Sequence, residues 1–292
     1  MTEARGGHPH RIKACFEALA HEGRGALIPF LEACDPDFDS ALAILRGMPG
    51  AGADLIEIGM PFSDPMADGP IIQAAAKRGL RAGATIDRTL EMVRRFRTGD
   101  DATPVILMGY LNPIESYGAG RFCADAGAAG IDGLIVVDLP PEEADLLEMP
   151  AEAAGLDIIR LVAPTTTSQR LPTVLRGASG FVYYVSIAGI TGTRSASEAD
   201  LVAALPRLRA ATRLPVAIGF GVRTPEQAAA AVRVADAAVV ASALIQTLAA
   251  SLDEHGRAGP GTVQLVLDQV EALARGVRHA RATTSSVTEM SA

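Results

Sequence analysis

The sequence predicts an α/β fold, a single (β/α)8 TIM barrel with an extra N-terminal helix and an additional C-terminal helix. Three observations lead there. Eight short apolar runs alternate with helical patterns along the chain. With the helical patterns between them they make eight βα units, preceded by one extra helix. No composition shift or long linker divides the 292 residues, and α/β barrels routinely run to this length as one unit. A doubly wound open sheet is the alternative, but such sheets usually stop at about five or six strands.

Residues 1–9 read as a flexible start and Arg11–His21 as a short amphipathic helix. Strands are expected at Ala26–Ala33, Asp54–Gly59, Pro104–Tyr110, Gly133–Asp138, Asp157–Ala163, Phe181–Ser186, Pro215–Gly221 and Ala237–Ala243. Helices are expected near 38–49, 70–80, 86–97, 116–128, 141–154, 167–176, 197–209, 225–233 and 243–252, with a closing helix over roughly 261–279. Several starts carry their signals: Thr85-Ile-Asp87, Pro141-Glu-Glu, Ser195-Ala-Ser-Glu198, and Thr224 followed by Pro at the first helical position. Residues 281–292, RATTSSVTEMSA, are polar and aperiodic, so a disordered tail is expected after one domain spanning 1–280.

Composition removes several classes of function. The 26 basic and 34 acidic residues leave a net charge of −8, with no basic stripe, so nucleic acid is not an expected partner. Cys15, Cys34 and Cys123 lack the spacing of a zinc site or a disulfide framework and suit a reducing cytoplasm. MTEARGGHPHR has no apolar core of a signal peptide, and no run is long enough to span a membrane. A soluble cytoplasmic protein is the expectation.

In this fold chemistry sits at the C-terminal ends of the strands. The stretch ADLIEIGMPFSDPMADGPIIQ, 53–73, places Glu57 on an apolar strand and Asp68 in the Gly/Pro-rich loop after it. Leu55, Glu57 and Gly59 share one face, because side chains alternate with period two. Glu57 is therefore expected to be buried, with its pKa raised by desolvation. Asp68, in a polar loop, is expected to stay ionised; an Asx-turn or a helix cap is the alternative role for it. Tyr110, Asn112, Asp138 and Tyr183 also fall at or near strand ends.

Three later segments suit a phosphate: the loop Ile187-Ala-Gly-Ile-Thr-Gly192-Thr-Arg194, then Gly219-Phe-Gly221, then Ala241-Ser242. Glycines let backbone N–H groups approach an anion, and a helix N-terminus adds its dipole. The alternative is that these glycines only make tight turns. A Schiff-base enzyme needs a strand-end lysine, but Lys13 and Lys77 lie in expected helices. His8, His10, His21, His255 and His279 lie outside the barrel mouth, which leaves no clustered metal ligands there. What remains is cofactor-free acid–base chemistry by two carboxylates on a phosphorylated ligand.

From about Cys15 to Gly276 the chain closely resembles the α subunit of tryptophan synthase, through LIEIGMPFSDPMADGPIIQ, GITG, GFG and Ser242. The PFSDPxADGPxIQ segment is highly specific to that family. The resemblance implies retro-aldol cleavage of indole-3-glycerol phosphate to indole and D-glyceraldehyde 3-phosphate. It further implies an αββα heterotetramer, in which a pyridoxal phosphate-dependent β chain joins indole to serine, with no cofactor in this chain. By motif, Glu57 matches the catalytic glutamate and Asp68 the aspartate beside the indole N–H. Thr191, Gly192, Gly221 and Ser242 match lid and phosphate residues. Phe30, Tyr183 and Phe220 match the indole surroundings. Pro61 and Asp64 match the loop that meets the β chain, and Asn112 and Asp138 lie in segments that communicate with it.

The chain departs from the family pattern in three places. Leu31-Glu32-Ala33-Cys34-Asp35-Pro36 stands where a Thr- or Met-containing segment ending Gly-Asp-Pro is usual, so Cys34 is expected to be strained if its φ is positive. Ala241 replaces a glycine and is expected to crowd a phosphate oxygen, and Ile187 stands where some members have Arg. A free-standing lyase, a non-catalytic regulatory subunit and another phosphate-binding barrel isomerase remain open alternatives at this point.

Overall fold

The computed structural model describes residues 10–185, 198–219 and 221–280. Its strands are β1 (Ala26–Glu32), β2 (Ile56–Gly59), β3 (Val105–Gly109), β4 (Gly133–Val136), β5 (Asp157–Ile158), β6 (Arg160–Val162), β7 (Val182–Val185), β8 (Val216–Gly219) and β9 (Ala237–Val240). Every pairing is parallel, in the order β5-β4-β3-β2-β1-β9-β8-β7-β6. β5 pairs with β4 while β6 pairs with β7, and only Ile159 separates them. They are the two halves of the expected fifth strand. Ile159 donates its N–H to the Leu134 carbonyl at 3.0 Å, so the ring of strands closes through it into the predicted barrel.

Around it run α1 (Arg11–His21), α2 (Phe38–Ala51), α3 (Pro70–Arg81), α4 (Ile86–Arg97), α5 (Leu111–Tyr117), α6 (Ala119–Ala129), α7 (Asp145–Ala153), α8 (Leu171–Val174), α9 (Glu198–Ala211), α10 (Pro225–Val234), α11 (Ser242–Ala250) and α12 (Thr262–His279). The cap signals work as expected where they are described. Thr85 Oγ1 accepts the Arg88 N–H, and Thr224 forms a reciprocal capping box with Gln227 ahead of Pro225. Ser195, the expected opening of the ninth helix, lies outside the described residues.

Three helices differ from expectation. The stretch 116–128 is two helices, α5 and α6, divided at Gly118, whose φ of +94° interrupts the spiral. Pro141–Glu143 is a 3-10 turn ahead of α7. The expected helix 167–176 shrinks to Leu171–Val174, because Thr166 and Thr167 turn their hydroxyls to the N–H groups of Ala163 and Arg170.

The barrel interior is apolar at its N-terminal end. Ile28, Leu55, Ile106, Ile135, Ile159, Phe181 and Val239 pack there with Ile12, Phe16 and Leu19 of α1. Phe16 and Phe181 rings lie 5.8 Å apart. The leading helix is therefore the floor of the barrel, and the opposite end is left for the site.

Carboxylates tie the same end together. Asp54, Asp132 and Asp236, each at or just before the start of a strand, accept the backbone N–H of Leu27, Val105 and Val216 respectively. Each also meets an arginine: Arg24, Arg11 with Arg97, and Arg209. No helix among the described residues is long and apolar enough to cross a membrane. Residues 1–9 and the tail 281–292, expected to be flexible and disordered, lie outside the described residues.

At the other end of β1, Cys34 has φ +61° and is the one non-glycine with positive φ among the described residues. The anticipated strain is present, at a cost of ~1–2 kcal/mol. Bonds on both sides hold it: Ala33 N–H to the Gly59 carbonyl, Asp35 N–H to the Glu32 carbonyl, and two bonds of 2.7 Å from Arg78 to Asp35.

Candidate active site

Glu57 lies in the middle of β2, between Ile56 and Ile58, which face the helices. Its own side chain continues the inward row from Leu55 and is 1% exposed. Among the described residues Oε2 finds no hydrogen-bond partner. Burial, with the negative charge of Asp68 behind it, pushes the Glu57 pKa up to about 8. A carboxyl in that state holds its proton at neutral pH and can give it up.

Asp68 reaches the same cavity from the loop after β2. Its Oδ2 accepts the Tyr110 O–H at 3.0 Å, and the Tyr110 oxygen in turn accepts the Ala67 N–H at 3.0 Å. The cap and Asx-turn alternatives do not describe it: Gly69 caps α3 without a side-chain bond. Asp68 is also drier than expected. Burial raises its pKa, while the Tyr110 hydrogen bond pulls it back down. Tyr110 thus makes a contact with Asp68 that its position at a strand end did not reveal.

The ring of Tyr183 is 3% exposed, and burial with the charge of Glu57 raises its pKa well above the ordinary value. Gly219 admits that ring: a Cβ on residue 219 would lie 2.0 Å from the Tyr183 hydroxyl. Gly219→Ala is therefore expected to displace Tyr183 and destabilise the protein by ~1–3 kcal/mol, the usual penalty of overpacking. A urea melt and the substrate KM check this; an unchanged midpoint and KM would rule out the close approach.

Phe30 stands beside Glu57 in the ladder and packs with Ala75 and Ile245, flanked by Ile71, Ile72 and Met108. These side chains make an apolar wall suited to a flat aromatic ring. Glu32, two residues beyond Phe30, completes the inward row of β1 and was not expected in the site. The period of two through Ala26, Ile28, Phe30 and Glu32 is the signal that points to it.

Gly221 and Ser242 follow the adjacent strands β8 and β9. Gly221 has φ +84°, a conformation glycine adopts freely, and Ser242 is the first residue of α11. Ala241 has φ −115°, so the backbone does not require glycine there. Thr191, Gly192, Phe220 and Ile187 lie outside the described residues.

Asp64 is exposed and accepts a hydrogen bond from Ser63 Oγ, whereas Pro61 is half-buried against Gly79 of α3. Between them Phe62 packs on Tyr110 with ring centroids 5.4 Å apart, which joins this loop to the residue holding Asp68. Asp138 accepts the Leu111 N–H at 2.8 Å and so ties the loop after β4 to the start of α5, where Asn112 is exposed.

A family model described as tryptophan synthase alpha chain matches residues 16–274. The tryptophan synthase alpha chain of Gluconacetobacter diazotrophicus is 74% identical over 271 residues, 93% of this chain and 99% of that one. That of Gluconobacter oxydans is 68% identical over 268 residues, covering 92% and 99%. Among solved structures, tryptophan synthase subunit alpha of Legionella pneumophila superposes with a TM-score of 0.84 at 38% identity, covering 92% of this chain and 99% of that one. A chain of Mycobacterium tuberculosis tryptophan synthase in an aminoacrylate-bound form gives 0.80 at 33%, covering 91% and 99%.

Proposed function

The chain belongs to the tryptophan synthase alpha chain family, and from that premise we propose that Glu57 and Asp68 carry its reaction. It is a carbon–carbon lyase of tryptophan biosynthesis that cleaves indole-3-glycerol phosphate to indole and D-glyceraldehyde 3-phosphate. The observation that supports the assignment is Glu57 Oε2, buried with no hydrogen-bond partner among the described residues, in a carboxyl that keeps its proton to about pH 8.

Glu57 gives that proton to indole C3, which leaves a positive charge shared with the ring nitrogen. Asp68, held by Tyr110, faces that N–H and stabilises the charge. The bond between C3 and the glycerol side chain then breaks, its electron pair returning to the ring. Glu57, now ionised, takes the proton of the glycerol hydroxyl as the aldehyde forms. The proton count closes on Glu57, and no cofactor is needed in this chain. Positioned acids and bases contribute about 10²–10⁴-fold to such steps.

Phe30, Tyr183 and Phe220 take the indole ring. Gly192, Gly221 and Ser242 take the phosphate, and Thr191 is assigned the positioning of Asp68. The backbone freedom at Gly221 and the helix start at Ser242 support the phosphate assignment. Pro61 and Asp64 meet a pyridoxal phosphate-dependent β chain in an αββα heterotetramer, and indole passes to that chain. The exposure of Asp64 and the tilted packing of Phe62 against Tyr110 support a loop that reports docking to the site. The three unpaired thiols suit a cytoplasmic protein, and α1 to α12 suit one domain.

Titration of the purified chain with a β chain tests this reading. Indole release is expected without added metal or pyridoxal phosphate and to rise many-fold as β is added. Loss of activity with EDTA would overturn the metal-free mechanism. A rate indifferent to β would identify a free-standing lyase, and release only of β activity would identify a regulatory subunit.

A further inference from the structure

An ionised aspartate has four atoms that can hydrogen-bond: a backbone N–H, a backbone carbonyl and two carboxylate oxygens. In Asp68 three of the four are taken within the protein. Its N–H goes to the Pro65 carbonyl at 3.1 Å. Its carbonyl accepts an N–H of Gln73 Nε2, from α3, at 3.0 Å. Its Oδ2 accepts the Tyr110 O–H at 3.0 Å. Only Oδ1 accepts no hydrogen bond among the described residues.

The two side chains come from different elements and hold different parts of Asp68. Tyr110 is buried at the junction of β3 and α5. Its oxygen accepts the Ala67 N–H at 3.0 Å. A phenol has one proton and an N–H can only donate, so the Tyr110 proton is committed to Asp68. The ring also packs against Phe62, so one side chain touches the loop at 62, 67 and 68. Gln73 lies in the first turn of α3, where its own N–H bonds the Gly69 carbonyl at 3.0 Å. Its side chain reaches back past Gly69 to the Asp68 carbonyl. That bond fixes the peptide plane between Asp68 and Gly69, which the backbone freedom of glycine would otherwise let turn. Tyr110 aims the carboxylate, and Gln73 fixes the backbone from which it springs.

Resting on the assignment of Asp68 to the ring nitrogen, we propose that Tyr110 and Gln73 are positioning residues of the lyase reaction, a two-point clamp that leaves Oδ1 as the oxygen offered to the ring N–H. Both act through Asp68. A carboxylate set in advance has no reorganisation to undergo as positive charge develops on the ring, which is where electrostatic stabilisation gains its effect.

The test is the pH profile of indole release by the wild type, Tyr110→Phe, Gln73→Met, Gln73→Lys and Asp68→Asn, all measured with the β chain present. Tyr110→Phe keeps the ring on Phe62 and removes the donor that favours the ionised Asp68. The acidic limb of kcat/KM is expected to move up by about one pH unit, the size that one hydrogen bond to a charged group gives. The other titratable groups in the mouth, Glu57 of β2 and Glu32 of β1, both feel the charge of Asp68 and are the same in every variant. Gln73→Met keeps the length of the side chain and loses its donor. Its kcat is expected to fall by roughly 10–10²-fold, the cost of a misplacement of about an ångström, with the limb near that of the wild type. Gln73→Lys returns a donor of similar reach and is expected to regain most of the rate. A limb that stays put in Tyr110→Phe overturns the clamp, as does a Gln73→Met as active as the wild type. Gln73→Lys no better than Gln73→Met marks a merely structural side chain and also overturns it. Should Tyr110→Phe fail to fold, the Gln73 pair decides the proposal alone. If the acidic limb survives in Asp68→Asn, the limb is not that of Asp68, and the site assignment itself falls with the clamp.

Discussion

Glu57→Gln is expected to lower kcat for indole release by about 10²–10⁴-fold while leaving the fold intact. The amide has the size and burial of the acid but no proton to give to indole C3 and no base to take one from the glycerol hydroxyl. The wild-type profile carries a second signature. In the proposed mechanism the proton-bearing form of Glu57 starts the reaction, so activity is expected to fall as pH rises through the Glu57 value of about 8.

Stability should respond in the opposite sense to the substitution. The folded pKa of Glu57 lies above its unfolded value near 4.5, so the native state binds more protons between that value and about 8. Stability contributed at this position therefore falls across that window and is lowest above it. Glu57→Gln removes the ionisation, so it is expected to be at least as stable as the wild type at pH 8.5 in a urea melt. Activity lost together with the fold would instead make Glu57 a structural residue.

Asp132→Ala is expected to produce the largest loss of stability. Asp132 is 6% exposed and accepts from Val105 N at 2.8 Å, Arg97 Nη2 at 2.8 Å and Arg11 Nη1 at 3.0 Å. Its removal leaves two guanidinium groups and one strand N–H short of an acceptor. Breaking such a buried pair costs about 3–5 kcal/mol. The lower end applies here, since Arg97 keeps the carbonyls of Gly130 and Thr103 and Arg11 keeps Asp101. The denaturation midpoint should drop, yet kcat per folded molecule should change little, because Asp132 sits at the floor and not at the mouth. Asp132→Asn, which retains an acceptor, should fall between the two; equal midpoints for all three proteins would refute the role.

The eight strands could be located from sequence because each is a short apolar run, and a candidate site could be named because strand ends are where barrels react. The alternation of Leu55, Glu57 and Gly59 was enough to bury Glu57. Tyr110 could not be paired with Asp68 in the same way, since the bond spans 42 positions and depends on β2 and β3 being neighbours. Glu32 was legible in principle: it continues the inward row of β1, but it stood in a segment noticed only for departing from its family. The break at Gly118 and the threonine turns before α8 were missed for a different reason. There local hydrogen bonds and one glycine outweigh a helical pattern that the apolar spacing alone suggests.

The floor made by Ile12, Phe16 and Leu19 turns the barrel into a cul-de-sac. Traffic in such a vessel is one-ended: substrate and both products must share the rim through which the substrate came. Indole cannot drain through the bottom while glyceraldehyde 3-phosphate leaves by the top. A partner that captures indole therefore has only one place to wait, and whatever controls the rim controls the order of departure.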